Sequence, residues 1–513
     1  IQAAEAAGMA DLREHANPRV KGSFETELIG DPSSIIVKDF DLNDAFFLKS
    51  DVVVTEPELE VYKTAGAPNP PRGGVFIGAT QSGLPAGFLD TPSACWCIIT
   101  LTRIYKEKGT PEALSRARLV GDFIKNQLVI DANFYGMPFK SVADRIDYDI
   151  AQGWVRNPTT VHVRTQYHAL WALLELYQIT QDQSYATLIN EIIKTCGLVY
   201  NNIKQRAGTE IAGWMTGAVY NNFNHEGEGR YVPSWTLFSP VQTGDVMYYA
   251  ITKYVEAFGN ETLYDPEWTE FTPMGILDAY HAWVVDCYYN HGLVMPNGCI
   301  YSFYHFDWAD ELVEGLYIPH AKNWDWNNNI FGDTWWVGDL QLWGVIGFAL
   351  LGEMQIANAL RQAILAKKVP GVAGVLFYDM YNFDGSPHDE AISIAFTGLF
   401  RTLSKLTGNG DLDEDLLATL TKYQISSNAD IINGGYPWNV AEPGVNLESK
   451  TIGEIFFSSQ IVFSEIVTTG RQWQPGQLVE IRLPDRGVMG TYLVQRVTIT
   501  PTWSNPSIWT FRV

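Results

Sequence analysis

Apolar and polar positions fall into three textures along the chain. From about residue 90, stretches that are apolar nearly all round alternate with one-sided, amphipathic ones. The apolar stretches predict helices at roughly 91–107, 160–179, 240–258, 335–352, 389–406 and 450–468. Amphipathic partners fall near 111–129, 183–202, 273–290, 354–367 and 412–424. A helix that is apolar all round belongs inside a fold, and a one-sided helix belongs outside. The unit repeats, as in WALLELYQITQDQSYATLIN from Trp171 and the segment from Tyr249. Repeated helical hairpins predict a closed ring, here an (α/α)6 toroid.

The flanking textures have strand period. Phe24, Thr26 and Leu28 alternate with Glu25 and Glu27, after a short helix over 1–17 that ends at Asn17-Pro18. Short strands are also read near 34–37 and 51–54. Beyond Gly470, Val479, Ile481 and Leu483 alternate with Glu480 and Arg482, and Trp509, Phe511 and Val513 with Thr510 and Arg512. Three strands alone are marginal, so the strand at 20–28 is the expected partner. The chain is therefore expected to be mainly α: a toroid over 36–469 inserted into a small antiparallel β module made by 1–35 and 470–513.

The connections differ by direction. Links from an apolar helix to its partner are short turns, such as Lys108-Gly109-Thr110. The return links, about 130–159, 203–239, 291–334, 368–388 and 425–449, run to roughly 20–45 residues and are the kind of length that usually carries function. In a ring of hairpins they emerge at one end, by the N-termini of the inner helices. The densest stretch is Trp324–Trp343, WDWNNNIFGDTWWVGDLQLW, with five of the seventeen tryptophans. It reads as a loop that closes into the fourth inner helix.

Composition narrows the partners. The 513 residues are 46% hydrophobic and 18% charged, enough for a large core, with a net charge of -23. Binding to phosphate backbones needs clustered Lys and Arg, so nucleic acid and anionic membranes are disfavoured. No segment reads as a membrane span. The five cysteines are scattered and odd in number, and read as buried structural thiols. Because the sequence opens at Ile1, it is expected to be a processed product or part of something longer.

Aromatic rings that stack on sugar faces and carboxylates that bind hydroxyls suit a glycan cleft. Candidate glycan-binding residues are Trp154, Trp214, Trp235, Trp324, Trp326, Trp335, Trp336, Tyr381 and Trp438. Glycoside hydrolysis needs two carboxylates across the scissile bond. Acids at inner-helix entrances include Asp245, Asp333, Asp339 and Glu448. For most of them, helix capping is the simpler explanation. Asp333 and Asp339 flank Trp335 and Trp336, and an acid beside a ring can have its pKa raised as a general acid requires. They are the leading catalytic candidates.

No metal and no cofactor is expected. Asp325-x-Asn327-x-Asn329 starts like a calcium loop but has Ile330 where the glycine belongs and Trp336 where the acid belongs. The histidines show no ligand spacing and read as core or loop residues. No Gly-rich phosphate loop is present.

Two resemblances follow. The C-terminal WQPGQLVEIRLPDRGVMGTYLVQRVTIT and the N-terminal ADLREHANPRVKGSFETEL resemble baseplate-hub and tail-tip proteins of long-tailed bacteriophages. The helical middle resembles the six-hairpin glycosidases and related polysaccharide lyases. Together they imply a virion tail-tip component whose toroid binds a cell-surface polysaccharide, with hydrolysis an open option. Its β module would contact other tail or baseplate subunits, with the copies forming a ring. The alternative is a free extracellular hydrolase or lyase with a C-terminal β module.

Overall fold

The computed structural model describes residues 70–79, 85–134, 137–149, 153–156, 160–209, 213–219, 222–225, 231–233, 237–238, 243–301, 303–313, 316–327, 335–372, 374–382, 384–388, 391–424, 436, 440, 447–448, 466–469, 478–483, 488–493, 496–499 and 508–512. The expected helix over 1–17, the strands at 20–28, 34–37 and 51–54 and most of the sixth inner helix lie outside them.

Ten α-helices make five hairpins among the described residues. They are α1 Thr91–Lys108 with α2 Pro111–Phe123, α3 Val163–Thr180 with α4 Gln183–Thr209, α5 Gly244–Phe258 with α6 Pro273–Asn290, α7 Gly338–Leu350 with α8 Met354–Leu365, and α9 Ile394–Leu406 with α10 Asp413–Tyr423. Each odd-numbered helix packs on its hairpin partner and on the next odd-numbered helix, α1 on α3, α3 on α5, α5 on α7, α7 on α9. The odd helices are therefore the inner ring. The burial of α3 shows why: every residue from Val163 to Leu176 except Arg164 is buried.

Local chemistry sets the helix ends. Asp90 caps α1 by accepting hydrogen bonds from the Ser93 amide (2.8 Å) and hydroxyl (2.7 Å). Gly109 stops it at φ 68°, a left-handed conformation that glycine adopts freely. Thr272 caps α6 through the Gly275 amide at 3.1 Å, with Pro273 in the first turn.

Three of the inner-helix entrances differ from the sequence reading in the same way. Thr160–His162, Trp335–Val337 and Ile392–Ser393 are short strands immediately before α3, α7 and α9. Their apolar residues continued the helical pattern in the sequence. Pairing with neighbouring return segments makes them extended instead, as where Trp335–Val337 pairs antiparallel with Met380–Asn382. The start of the aromatic stretch is also no loop. Trp324 and Trp326 end the strand Leu316–Asn327, which pairs along its length with Phe303–Val313. The 130–159 link likewise carries the hairpins Val129–Phe134 with Met137–Val142 and Arg145–Asp149 with Gly153–Arg156.

One hydrophobic cluster runs through all five hairpins. At the C-terminal end, Ile466–Thr469 is a strand, where the sequence predicted the end of a helix. It pairs with Ile508–Arg512, which pairs in turn with Arg496–Ile499. Leu478–Leu483 and Val488–Leu493 pair antiparallel as a hairpin. The β segment thus starts by residue 466. Among the described residues, no helix is long and apolar enough to cross a membrane.

Candidate functional site at the inner-helix entrances

The inner helices begin at the end of the ring that carries the long return links, and polar side chains meet there inside an apolar wall. Asp144 connects two entrances. Its backbone carbonyl accepts from the Thr91 amide of α1 at 2.9 Å. Its carboxylate accepts from the His162 amide (3.2 Å) and pairs with His162 Nδ1 at 2.7 Å, just ahead of α3. His162 keeps 44% of its side chain exposed. Partial burial pushes its pKa down, but the Asp144 hydrogen bond and charge prevail, so the imidazole holds its proton above the ordinary range. A histidine fixed through one ring nitrogen by a carboxylate is oriented for proton transfer through the other.

Two residues on, Arg164 crosses to α5. Its Nη1 and Nη2 reach the two carboxylate oxygens of Asp245 at 2.9 and 3.4 Å. Asp245 is buried, while 22% of the Arg164 side chain stays exposed. Burial raises the Asp245 pKa, and the Arg164 charge and hydrogen bonds only partly oppose it. The guanidinium lies 4.7 Å from the centre of the Trp343 ring of α7, a cation–π contact strengthened by desolvation.

Below this pair the ring is filled by aromatic side chains. Trp96 of α1 stacks on Trp343 at 5.9 Å and meets His168 and Trp171 edge-on at 5.0 and 5.5 Å. Trp171 stacks on Tyr249 of α5 at 4.5 Å. His168 is fully enclosed and its Nε2 has no hydrogen-bond partner among the described residues. Burial, then the Arg164 charge, pushes its pKa well down and keeps it neutral. Four inner helices thus close the axis with a packed floor, and the Arg164–Asp245 pair sits on it.

The expected site residues fall into three groups. Asp245 is at this centre, but its carboxylate is taken up by Arg164. Trp154 is half-buried, edge-on to Phe76 at 6.0 Å. Tyr381 is buried, not displayed: its hydroxyl donates to the Lys367 carbonyl (3.0 Å) and accepts from the Tyr378 amide (2.9 Å). That position supports a wall and offers no face to a sugar. For others the backbone alone is placed. Asp339 is in the first turn of α7, one turn before Trp343. Trp335 and Trp336 pair with Asn382 and Tyr381, Trp324 and Trp326 with Phe306 and Tyr304, and Glu448 with Gly78. Trp214 is in the 3-10 turn Gly213–Gly217. Asp333, Trp235 and Trp438 lie outside the described residues.

Sequence reasoning missed Arg164, His162, Asp144, Trp96 and the role of Trp343. A signal was visible for one of them, and for His168 in the floor below it. Arg164 and His168 stand four apart in an otherwise apolar helix, and so share one face. The five cysteines are buried and free, as expected, and burial pushes the Cys196 thiol up to about 12.

No protein-family model matches the sequence, and no curated protein matches it. Solved structures do match in fold. A D-mannose isomerase superposes with TM-score 0.52 at 12% identity, over 76% of this chain and 92% of that one. A cellobiose 2-epimerase from Bacillus thermoamylovorans B4167 gives TM-score 0.50 at 12% identity, over 76% and 93%. The likeness is one of fold. The chain is mainly α, with an (α/α)6 toroid-like fold similar to that of these two structures. It lends no support to the tail-protein resemblance read in the chain ends.

Proposed function

We propose that the chain is a sugar-active enzyme of the six-hairpin class. It binds a neutral polysaccharide at the inner-helix entrances and hydrolyses it. The observation that carries this reading is the Arg164–Asp245 pair, held over Trp343 at the end of the ring where the long links emerge. A guanidinium fixed on two sides and partly open on the third is a preorganised donor for sugar oxygens. Asp245 holds Arg164 in place and is not itself the acid. Asp333 and Asp339 are the proposed catalytic carboxylates, one as general acid and the other as base or nucleophile. Asp339 is supported by its place one turn before Trp343 on α7.

The test is release of reducing ends from neutral polysaccharides such as glucomannan, α-mannan and β-glucan. Wild type is expected to release them. Asp333→Asn and Asp339→Asn are each expected to lower the rate at least about a hundredfold. Unchanged rates in both variants would remove these residues from the mechanism.

The His162–Asp144 pair favours a second reading, isomerisation or epimerisation of a free sugar. A fixed imidazole can take a proton from the carbon beside an open-chain carbonyl and return it to a neighbouring position. Deuterium uptake at a sugar carbon in heavy water, without chain shortening, would favour this reading over hydrolysis.

A place in a virion tail tip, within a ring of copies bound through the terminal β segments to other subunits, is the further proposal from the chain ends. A free extracellular enzyme is the alternative. The strand pairing of 466–469 with 508–512 supports the alternative, since it lets the C-terminal strands pair among themselves. Sedimentation of the purified chain as a monomer would count against the ring.

A further inference from the structure

Two of the five large apolar side chains that stand exposed among the described residues share one short hairpin, Tyr264 at 47% and Trp268 at 82% exposure. This hairpin joins Leu263–Tyr264 to Glu270–Phe271 between α5 and α6. It lies on the short-link end of the ring, away from the candidate site. With 15 residues in α5, the separation along the axis is about 22 Å.

The tip is rigid. Trp268 has φ 61°, a left-handed conformation uncommon for a bulky residue. Its amide donates to the Asp265 carbonyl at 2.9 Å, and the Asp265 amide donates to the Thr269 carbonyl at 3.1 Å. Asp265 Oδ1 accepts from the Glu267 and Thr269 amides at 2.8 and 2.9 Å. Its Oδ2 accepts from Asn201 Nδ2 of α4 at 2.9 Å, which pins the turn to the helical body. Tyr264 donates to Glu270 Oε1 at 3.0 Å. The turn thus holds an indole in water in a costly backbone conformation, an arrangement more common at functional positions than elsewhere.

We propose that this hairpin is a second glycan contact, with Trp268 stacking on the sugar rings of a neutral polysaccharide strand. The inference rests on the sugar-active reading above and adds an anchoring site to it. Size and charge select the occupant. Two side chains on one hairpin tip offer far less than the roughly 800 Å² per partner of a stable protein interface. Flat rings flanked by Glu261, Glu267 and Glu270 repel polyanions, while those carboxylates accept hydrogen bonds from sugar hydroxyls. A rigid tip also loses little conformational freedom on binding. Two separated contacts on one polymer layer raise the overall affinity without either being strong.

The test is native affinity electrophoresis through gels containing α-mannan, glucomannan, dextran or hydroxyethyl cellulose. Wild type is expected to be retarded by at least one polymer. Trp268→Ala and Trp268→Gly are expected to weaken retardation by about tenfold. Trp268→Gly should melt at the same or a higher temperature, because glycine adopts the left-handed conformation freely. An Asp333→Asn/Asp339→Asn double variant should stay retarded, so loss of turnover and loss of anchoring are separate results. Retardation unchanged in Trp268→Ala would overturn the proposal. So would absence of retardation of wild type by every polymer, or a shift from dimer to monomer on replacing Trp268.

Discussion

Glu175→Ala is expected to cost about 3–5 kcal/mol of stability, as removal of one member of a buried ion network does. Glu175 lies in α3 with 2% of its side chain exposed. Lys106 Nζ reaches it at 2.6 Å, Lys253 Nζ at 3.0 Å and Arg103 Nη2 at 3.8 Å. Trp171 Nε1 donates to it at 3.2 Å, which ties the network to the aromatic floor. Without the carboxylate, three partly exposed cations from α1 and α5 are left facing one another. Glu175→Gln keeps the shape and a Trp171 acceptor, so it should lose less. Urea unfolding followed by circular dichroism measures both.

The same residue gives a pH dependence with a definite sign. Burial pushes the Glu175 carboxyl up, but Lys253, Arg103 and Lys106 outweigh it and hold it well below the usual range. A depressed folded-state pKa means that the stabilisation is present above the unfolded value, about 4.3. It is lost as pH falls from there through the folded value. Wild type should therefore lose stability in acid more steeply than Glu175→Gln.

Asp245→Ala is the second large effect. It leaves Arg164 between α3, α5 and Trp343 with its carboxylate partner gone. The stability loss should be about 3 kcal/mol, at the low end for a buried pair because part of Arg164 can turn to water. The functional loss should be larger in proportion, about a hundredfold in turnover, since a displaced binding group costs that much without touching the chemistry. Asp245→Asn should fall between, because it keeps an acceptor for Arg164. Turnover equal to wild type in Asp245→Ala, in a folded protein, would remove the Arg164–Asp245 pair from the site.

Much of the helical body was legible because burial leaves a period in the sequence. α6 coincides with its expected range, and α1, α8 and α10 agree to within a residue or two. What misled was the entrance of three inner helices, α3, α7 and α9. Thr160–His162 and Trp335–Val337 are apolar and adjoin apolar helices, so periodicity alone could not separate them from helix. Their extended form is set by strands distant in sequence. The site was legible in part. The aromatic stretch contains Trp343 and Asp339 but no arginine or histidine. The groups that meet are Arg164 with Asp245 and His162 with Asp144, pairs separated by 81 and 18 positions. No local pattern in one sequence pairs such residues. The polar face of α3, Arg164 and His168 four apart, was the visible trace.

The central claim is that sugar binds at the inner-helix entrances. Hydrogen–deuterium exchange with and without a neutral oligosaccharide that calorimetry shows to bind measures this most directly. Protection is expected in peptides covering 160–166, 243–247 and 335–343. Bound sugar with exchange unchanged in all three segments would contradict it.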